Sequence, residues 1–221
     1  MASGRDMAAQ SPYCNGPLVT AISGVFQVKS VCVYCGSSAG TDPAFLEEAI
    51  RCGTYVAEAG LTLVYGGGKV GLMGAVADAA LAAGGRVIGV MPEHLVSQEI
   101  AHRGLTELRV VVSMHERKQA MEDLSDGFLC LPGGPGTFEE IFEQWTWALL
   151  GVHTKPCGFV NVGGYYDLMR ATIQQMGNKG FIAQPYVDML IYAETTPEVI
   201  AQFRSYKAPA PKWTMTKPPK Y

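Results

Sequence analysis

The sequence predicts a single doubly wound, Rossmann-like α/β domain on a mostly parallel sheet of about seven strands. Two observations carry that prediction. From residue 28 onward, short continuous apolar runs alternate with helical patterns of about a dozen residues, as parallel strands covered on both faces do. Three of the runs also end in small-residue turns, "CGSS" at 35–38, "GGGKVG" at 66–71 and "PGGPGT" at 132–137, each leading into a helical segment. In such a sheet ligands bind beyond the carboxyl ends of the strands, where turns meet helix N-termini. Three such turns on one edge point to a phosphate-bearing ligand.

Taken in order, residues 1–27 hold many small residues without a sustained period and read as a mobile leader. Strands follow at "VKSVCVYCG", "LTLVYGGG", "RVIGVMP", "ELRVVVS", "DGFLCLPGG", "PCGFVNV" and "DMLIYAE". Helices are expected over roughly 43–59, 71–84, 114–125, 137–150, 165–178 and 196–206, which sets a nucleotide-binding domain at 28–206. The end, 207–221, is proline-rich with four lysines and reads as a basic tail outside the fold.

Composition narrows the function. With 48% apolar and 17% charged residues in 221, the chain can bury a substantial core in one domain. A net charge of -3 gives no electrostatic case for a nucleic-acid or membrane partner. No apolar run approaches the ~18 residues that span a bilayer. The stretch "PLVTAISGVF" is short and lacks a preceding basic region, so a cytoplasmic protein is expected. Its six cysteines are then expected to be reduced. Cys32 and Cys35 form a C-x-x-C, but on a strand they point to opposite faces, which makes them ordinary buried thiols. His94, His102, His115 and His153 show no ligand spacing; neither a metal nor a cofactor is expected.

Gly66, Gly68 and Gly71 fit the G-x-G-x-x-G dinucleotide fingerprint, with Gly67 between them and Glu93 after the next strand. That fingerprint normally follows the first strand of its unit, whereas this one follows the second. In the helix "SMHERKQAMEDL", Met114, Met121 and Leu124 share one stripe, with Arg117 inside it and Lys118 at its edge. An arginine so placed either snorkels to water or meets a buried anion. Thr137 and Glu140 spell T-x-x-E, a capping box for the helix that follows. Equally, if a phosphate rests on the amides of Gly133 to Thr137, Glu140 lies about one helical turn on, facing the attached sugar. The residues alone leave both pairs of readings open.

The stretch from Pro132 to Glu140, P-G-G-x-G-T-x-x-E, together with M-H-x-R-K at Met114 to Lys118, resembles the Lonely Guy family of cytokinin riboside 5′-monophosphate phosphoribohydrolases. "YCGSS" and "YGGGKVGLMG" are also similar to that family, and the likeness runs from about residue 28 to 206. It implies hydrolysis of the N-glycosidic bond of a nucleoside 5′-monophosphate to free base and ribose 5-phosphate, with Arg117 and Glu140 as the catalytic pair. Glu99, Lys118, the loop Gly133, Gly134, Pro135, Gly136, Thr137, Phe138 and Glu139, and Thr146 correspond to substrate-binding positions. Gly36, Ser37, Ser38, Gly66, Gly67 and Gly68 form the other candidate ligand loops. Pro135 departs from the family, whose plant members often carry tyrosine there. A homodimer is implied as well, and Phe142, Trp145 and Leu149 share one stripe of the helix while Trp147 lies on the other face. Some members were once labelled lysine decarboxylases, but nothing in this sequence marks a lysine for a pyridoxal cofactor. The competing readings are a nucleotide-binding module without catalysis and a dinucleotide-dependent oxidoreductase.

Overall fold

Alternation along the first strand, β1 (Ser30–Tyr34), sorts its side chains between two layers. Val31 and Val33 enter one apolar cluster with Cys35, while Cys32 and Tyr34 enter the other. Cys32 and Cys35 therefore do lie on opposite faces, and both are free and buried. The computed structural model describes residues 27–96 and 101–213. Most of the expected leader, Glu99 and the last eight residues lie outside them.

Six further strands follow: β2 (Thr62–Tyr65), β3 (Val87–Pro92), β4 (Glu107–Val111), β5 (Phe128–Cys130), β6 (Cys157–Val160) and β7 (Leu190–Ala193). They form one sheet in the order β4-β3-β2-β1-β5-β6-β7, every pair parallel. Helices α1 (Pro43–Glu58), α2 (Gly71–Ala82) and α8 (Thr196–Ser205) cover the Val31 face. The other face carries α4 (Met114–Asp123), α5 (Pro135–Leu150), α6 (Asp167–Asn178) and α7 (Gln184–Asp188). A four-residue helix α3 (Glu93–Val96) ends β3.

Local signals explain the helix starts. Asp42 caps α1 by accepting from the Ala44 N–H at 2.9 Å, with Pro43 in the first turn. Ser113 caps α4 by accepting from the Glu116 N–H, and Thr195 with Glu198 closes a capping box on α8. The two sides of the core hold fully buried Leu63, Tyr65 and Phe203 on one face and Phe128, Phe159 and Tyr166 on the other. Burying each such side chain contributes roughly 1.5–3 kcal/mol. Residues just past 206, expected outside the fold, pack on it: the Tyr186 hydroxyl donates to the Ala210 carbonyl at 3.0 Å and the Lys212 N–H to the Leu149 carbonyl at 3.1 Å.

Candidate active site

Strands β1 and β5 are neighbours, yet the helices that follow them go to opposite faces, so a crevice opens between their carboxyl ends. It has a volume of about 370 Å³ and is walled by residues 36–40 after β1 and 132–135 after β5, with Phe45, Leu72 and Tyr165. That size suits a small organic ligand. The Gly36 N–H donates to the Pro132 carbonyl at 3.1 Å, tying the two loops together. The Tyr165 hydroxyl donates to the Gly133 carbonyl at 2.6 Å, and its ring meets Phe45 edge-on at 5.6 Å. Ser37 and Ser38 are exposed along the crevice. Tyr165 and Phe45 were not singled out from sequence; the "GGYY" after β6, the strand beside β5, was the available signal.

Helix α5 opens two residues earlier than expected. Gly134 is its N-cap, with no side-chain cap, and Pro135 occupies the first turn, its fixed φ suited to that position. The Thr137 and Phe138 N–H groups both donate to the Gly134 carbonyl. Thr137 therefore sits inside the helix, buried, and the T-x-x-E spelling is not a capping box here. Gly134, Pro135 and Gly136 present exposed backbone at the positive end of a 16-residue helix. Phe138 turns inward, its ring 5.7 Å from that of Tyr166.

Glu140, one turn beyond Thr137, meets Arg117. The Arg117 Nη1 lies 2.8 Å from Glu140 Oε1, and the two side chains are only 11% and 12% exposed. Arg117 does not snorkel: its Nε donates to the Val90 carbonyl at 3.1 Å, so its planar fork spans β3 and α5. A Cβ on Gly66 would stand 2.2 Å from Arg117 Nη2, so only glycine leaves room for the guanidinium there. Burial pushes the Glu140 carboxyl above its ordinary value, while the Arg117 charge and hydrogen bond oppose the rise. Lys118 Nζ holds Glu139 at 2.6 Å and Glu143 at 2.9 Å. Burial works against its charge, but the two carboxylates outweigh that and hold its ammonium above the ordinary range. Glu139, 55% exposed, thus belongs to Lys118, and Glu140 to Arg117.

The glycine fingerprint does not form a pyrophosphate seat. The first amides of α2, Leu72 and Met73, donate to the Gly36 carbonyl at 3.0 and 3.3 Å and are already occupied. Gly71 has φ +59°, and a Cβ there would lie 2.3 Å from the Ser37 carbonyl carbon. Buried Gly66, Gly67 and Gly68 serve close packing against Arg117, Met91 and the Tyr65 hydroxyl, which donates to the Gly68 carbonyl. Glu93 is exposed in α3. Thr146 is exposed too, its hydroxyl donating to the Phe142 carbonyl of its own helix, so within this chain it does not join Arg117 and Glu140. No group of three or more His, Cys, Asp or Glu side chains among the described residues could hold a metal ion. No helix among them is long and apolar enough to cross a membrane.

Residues 73–203 match a family model described as "Possible lysine decarboxylase". The chain is 42% identical to the Arabidopsis thaliana cytokinin riboside 5′-monophosphate phosphoribohydrolase LOG7, over 81% of this chain and 82% of the relative. It is 45% identical to the Rhodococcoides fascians cytokinin riboside 5′-monophosphate phosphoribohydrolase, over 80% and 90%. Among solved structures, the molybdenum cofactor binding protein of Rippkaea orientalis shares the fold with a TM-score of 0.62 at 21% identity, covering 81% of this chain and 97% of that one. The molybdenum cofactor carrier protein of Chlamydomonas reinhardtii does so at 0.61 and 19%, covering 81% and 98%. Identity over four-fifths of the chain, with M-H-x-R-K and P-G-G-x-G-T-x-x-E in place, settles the kinship: the chain belongs to the Lonely Guy family of cytokinin riboside 5′-monophosphate phosphoribohydrolases.

Proposed function

We propose that this protein hydrolyses the N-glycosidic bond of a nucleoside 5′-monophosphate, AMP or its N6-prenylated form, to free base and ribose 5-phosphate, and so activates cytokinins. The buried Arg117–Glu140 pair beside a bare glycine turn is the observation that carries this reading. The 5′-phosphate rests against the exposed start of α5, where the Gly134 and Gly136 N–H groups, which the Gly134 carbonyl does not engage, and the helix dipole favour an anion. Ser37 and Ser38 face it across the crevice. Glu140 stands about 7 Å along the helix axis from Pro135, comparable with the span of a ribose 5-phosphate.

Cleavage of the ribosyl–base bond builds positive charge on the sugar. The Glu140 carboxylate stabilises that charge and takes a proton from the attacking water. The water oxygen bonds to C1′, the C1′–N bond breaks with its electrons going to the base, and the proton passes to the base nitrogen. Arg117 cannot donate a proton, because a guanidinium stays charged. It orients Glu140 and keeps it ionised against the pull of burial. Lys118 and Glu139, locked to each other at the rim, are assigned to the sugar hydroxyls, and Glu99 to the same substrate.

The same reading places the protein in the cytoplasm as a homodimer. Thr146 lies about 9 Å beyond Glu140 along the helix and on another side of it, so it meets substrate through a partner's crevice.

Incubation with AMP and, separately, isopentenyladenosine 5′-monophosphate, followed by chromatography, tests the activity. Free base from either supports the hydrolase, and the ratio of rates gives the base preference. Binding without release of base contradicts it and leaves a nucleotide-holding module.

A further inference from the structure

Two adjacent tyrosines reach from the end of β6 to the chain that leads into α5. The Tyr166 hydroxyl donates to the Leu131 carbonyl and the Tyr165 hydroxyl to the Gly133 carbonyl, each at 2.6 Å. The turn that carries them is firmly tied. Asn161, at its start, donates its N–H to the Ala193 carbonyl at 2.7 Å. Its side chain accepts the Tyr166 N–H at 2.7 Å and donates to Asp167 at 2.8 Å. Gly163 and Gly164 follow with φ of +57° and +76°, left-handed values that glycine adopts without strain.

The two hydroxyls serve different places. Tyr166 is 0% exposed, with its ring against Phe138 at 5.7 Å and Phe159 at 4.9 Å, and its bond closes the core. Tyr165 is 39% exposed and lines the crevice with Gly133 and Gly134, its ring held edge-on by Phe45 and by Tyr166 at 5.0 Å. The Gly133–Gly134 peptide is planar and trans, so its C=O and the Gly134 N–H point in opposite directions. Fixing the carbonyl on Tyr165 therefore fixes the N–H at the other edge of the peptide. Among the described residues nothing accepts from that N–H. Lying between two glycines, with open space around Gly134, the peptide is otherwise free to turn over. A hydrogen bond accepted at the oxygen also polarises the amide and makes its N–H a stronger donor.

We propose that Tyr165 is a positioning residue of the phosphate seat: its hydroxyl locks and polarises the Gly133–Gly134 peptide so that the Gly134 N–H stands ready to donate to a phosphate monoester. This deepens the reading above and rests on it for the class of ligand. Without the hydroxyl, the ligand has to order the peptide as it binds, and affinity falls.

Ribose 5-phosphate is the probe, since it carries the phosphate and has no base to lose. By calorimetry, Tyr165→Phe should bind it roughly fivefold or more weakly than wild type. With AMP, KM should rise by a similar factor and kcat change less, as for an interaction made equally before and during the reaction. In nitrogen–proton NMR spectra of wild type, the Gly134 amide proton should move downfield as ribose 5-phosphate binds, a response that needs no variant to fold. In Tyr165→Phe it should move less than about half as far. Tyr166→Phe, which loses the companion bond inside the core, should lower Tm more than Tyr165→Phe does and affinity less. Equal affinity in Tyr165→Phe and wild type, or a Gly134 proton that does not respond to ribose 5-phosphate, overturns the proposal. Both effects in a protein that releases no base from AMP uphold the phosphate seat and refute the hydrolase reading.

Discussion

Arg117 on α4 and Glu140 on α5 form an ion pair of 2.8 Å that is almost sealed from solvent. Removing one partner strands the other charge, a loss of roughly 3–5 kcal/mol for a buried pair. Arg117→Ala should therefore lower stability by that order and turnover by at least ~100-fold. Arg117→Lys should not restore activity, since a point charge cannot span both the Val90 carbonyl and Glu140. Chemical denaturation beside base-release assays checks both; full activity in Arg117→Lys would contradict the positioning role.

Gly66→Ala should act on catalysis more than on folding. The added methyl meets the tip of the Arg117 side chain, which can swing away from Glu140. We expect kcat to fall roughly 10-fold or more, given how sharply rates depend on placement, with a smaller change in Tm than Arg117→Ala produces. A wild-type kcat would show that the close approach at Gly66 does not matter.

Two buried groups give stability a two-sided dependence on pH. The Glu140 carboxyl is raised, so its contribution is complete below the ordinary carboxylate pKa of about 4.3 and is lost as pH climbs through the folded value. Ionising Glu140 for catalysis thus costs stability. Burial, aided by the Lys155 charge, lowers His153 to about 4. Its contribution is complete above the ordinary value of about 6.5 and is lost as pH falls toward 4. Melting curves between pH 4 and 8 should show His153→Gln flattening the acid-side fall.

Nucleotide monophosphates, not dinucleotides, should protect the fold. A ligand at 100 times its Kd adds about 2.7 kcal/mol to stability. AMP should raise Tm by several degrees, and NAD or NADP should not, because the α2 amides already bond Gly36. Protection by NAD alone would revive the dinucleotide reading.

All seven strands coincide with runs picked out in the sequence; those inside the sheet are buried on both faces and so read as continuous hydrophobicity, while the edge strand β4, with exposed Arg109 and Val110, shows only through its valines. Helices α3 and α7, of four and five residues, escaped because they are too short to show a period. The start of α5 was misplaced since T-x-x-E imitates a capping box, while Pro135 had already set the helix direction. Arg117 and Glu140 stood out singly, one as a charge on an apolar stripe and the other in a glycine motif. That they meet depends on α4 and α5 packing on the same face of the sheet, which local pattern does not encode. The glycines at 66 and 71 satisfied a fingerprint spacing for unrelated reasons, namely the approach of Arg117 and of the Ser37 backbone.

The measurement that bears most directly on the account is single-turnover base release by Glu140→Gln and Glu139→Gln beside the wild type, with AMP affinity measured on each by calorimetry. Glu140→Gln should bind AMP within about an order of magnitude of wild type and lose at least ~1,000-fold in rate, while Glu139→Gln should lose far less. Equal, small losses in both variants would contradict the assignment of Glu140 to the reacting sugar.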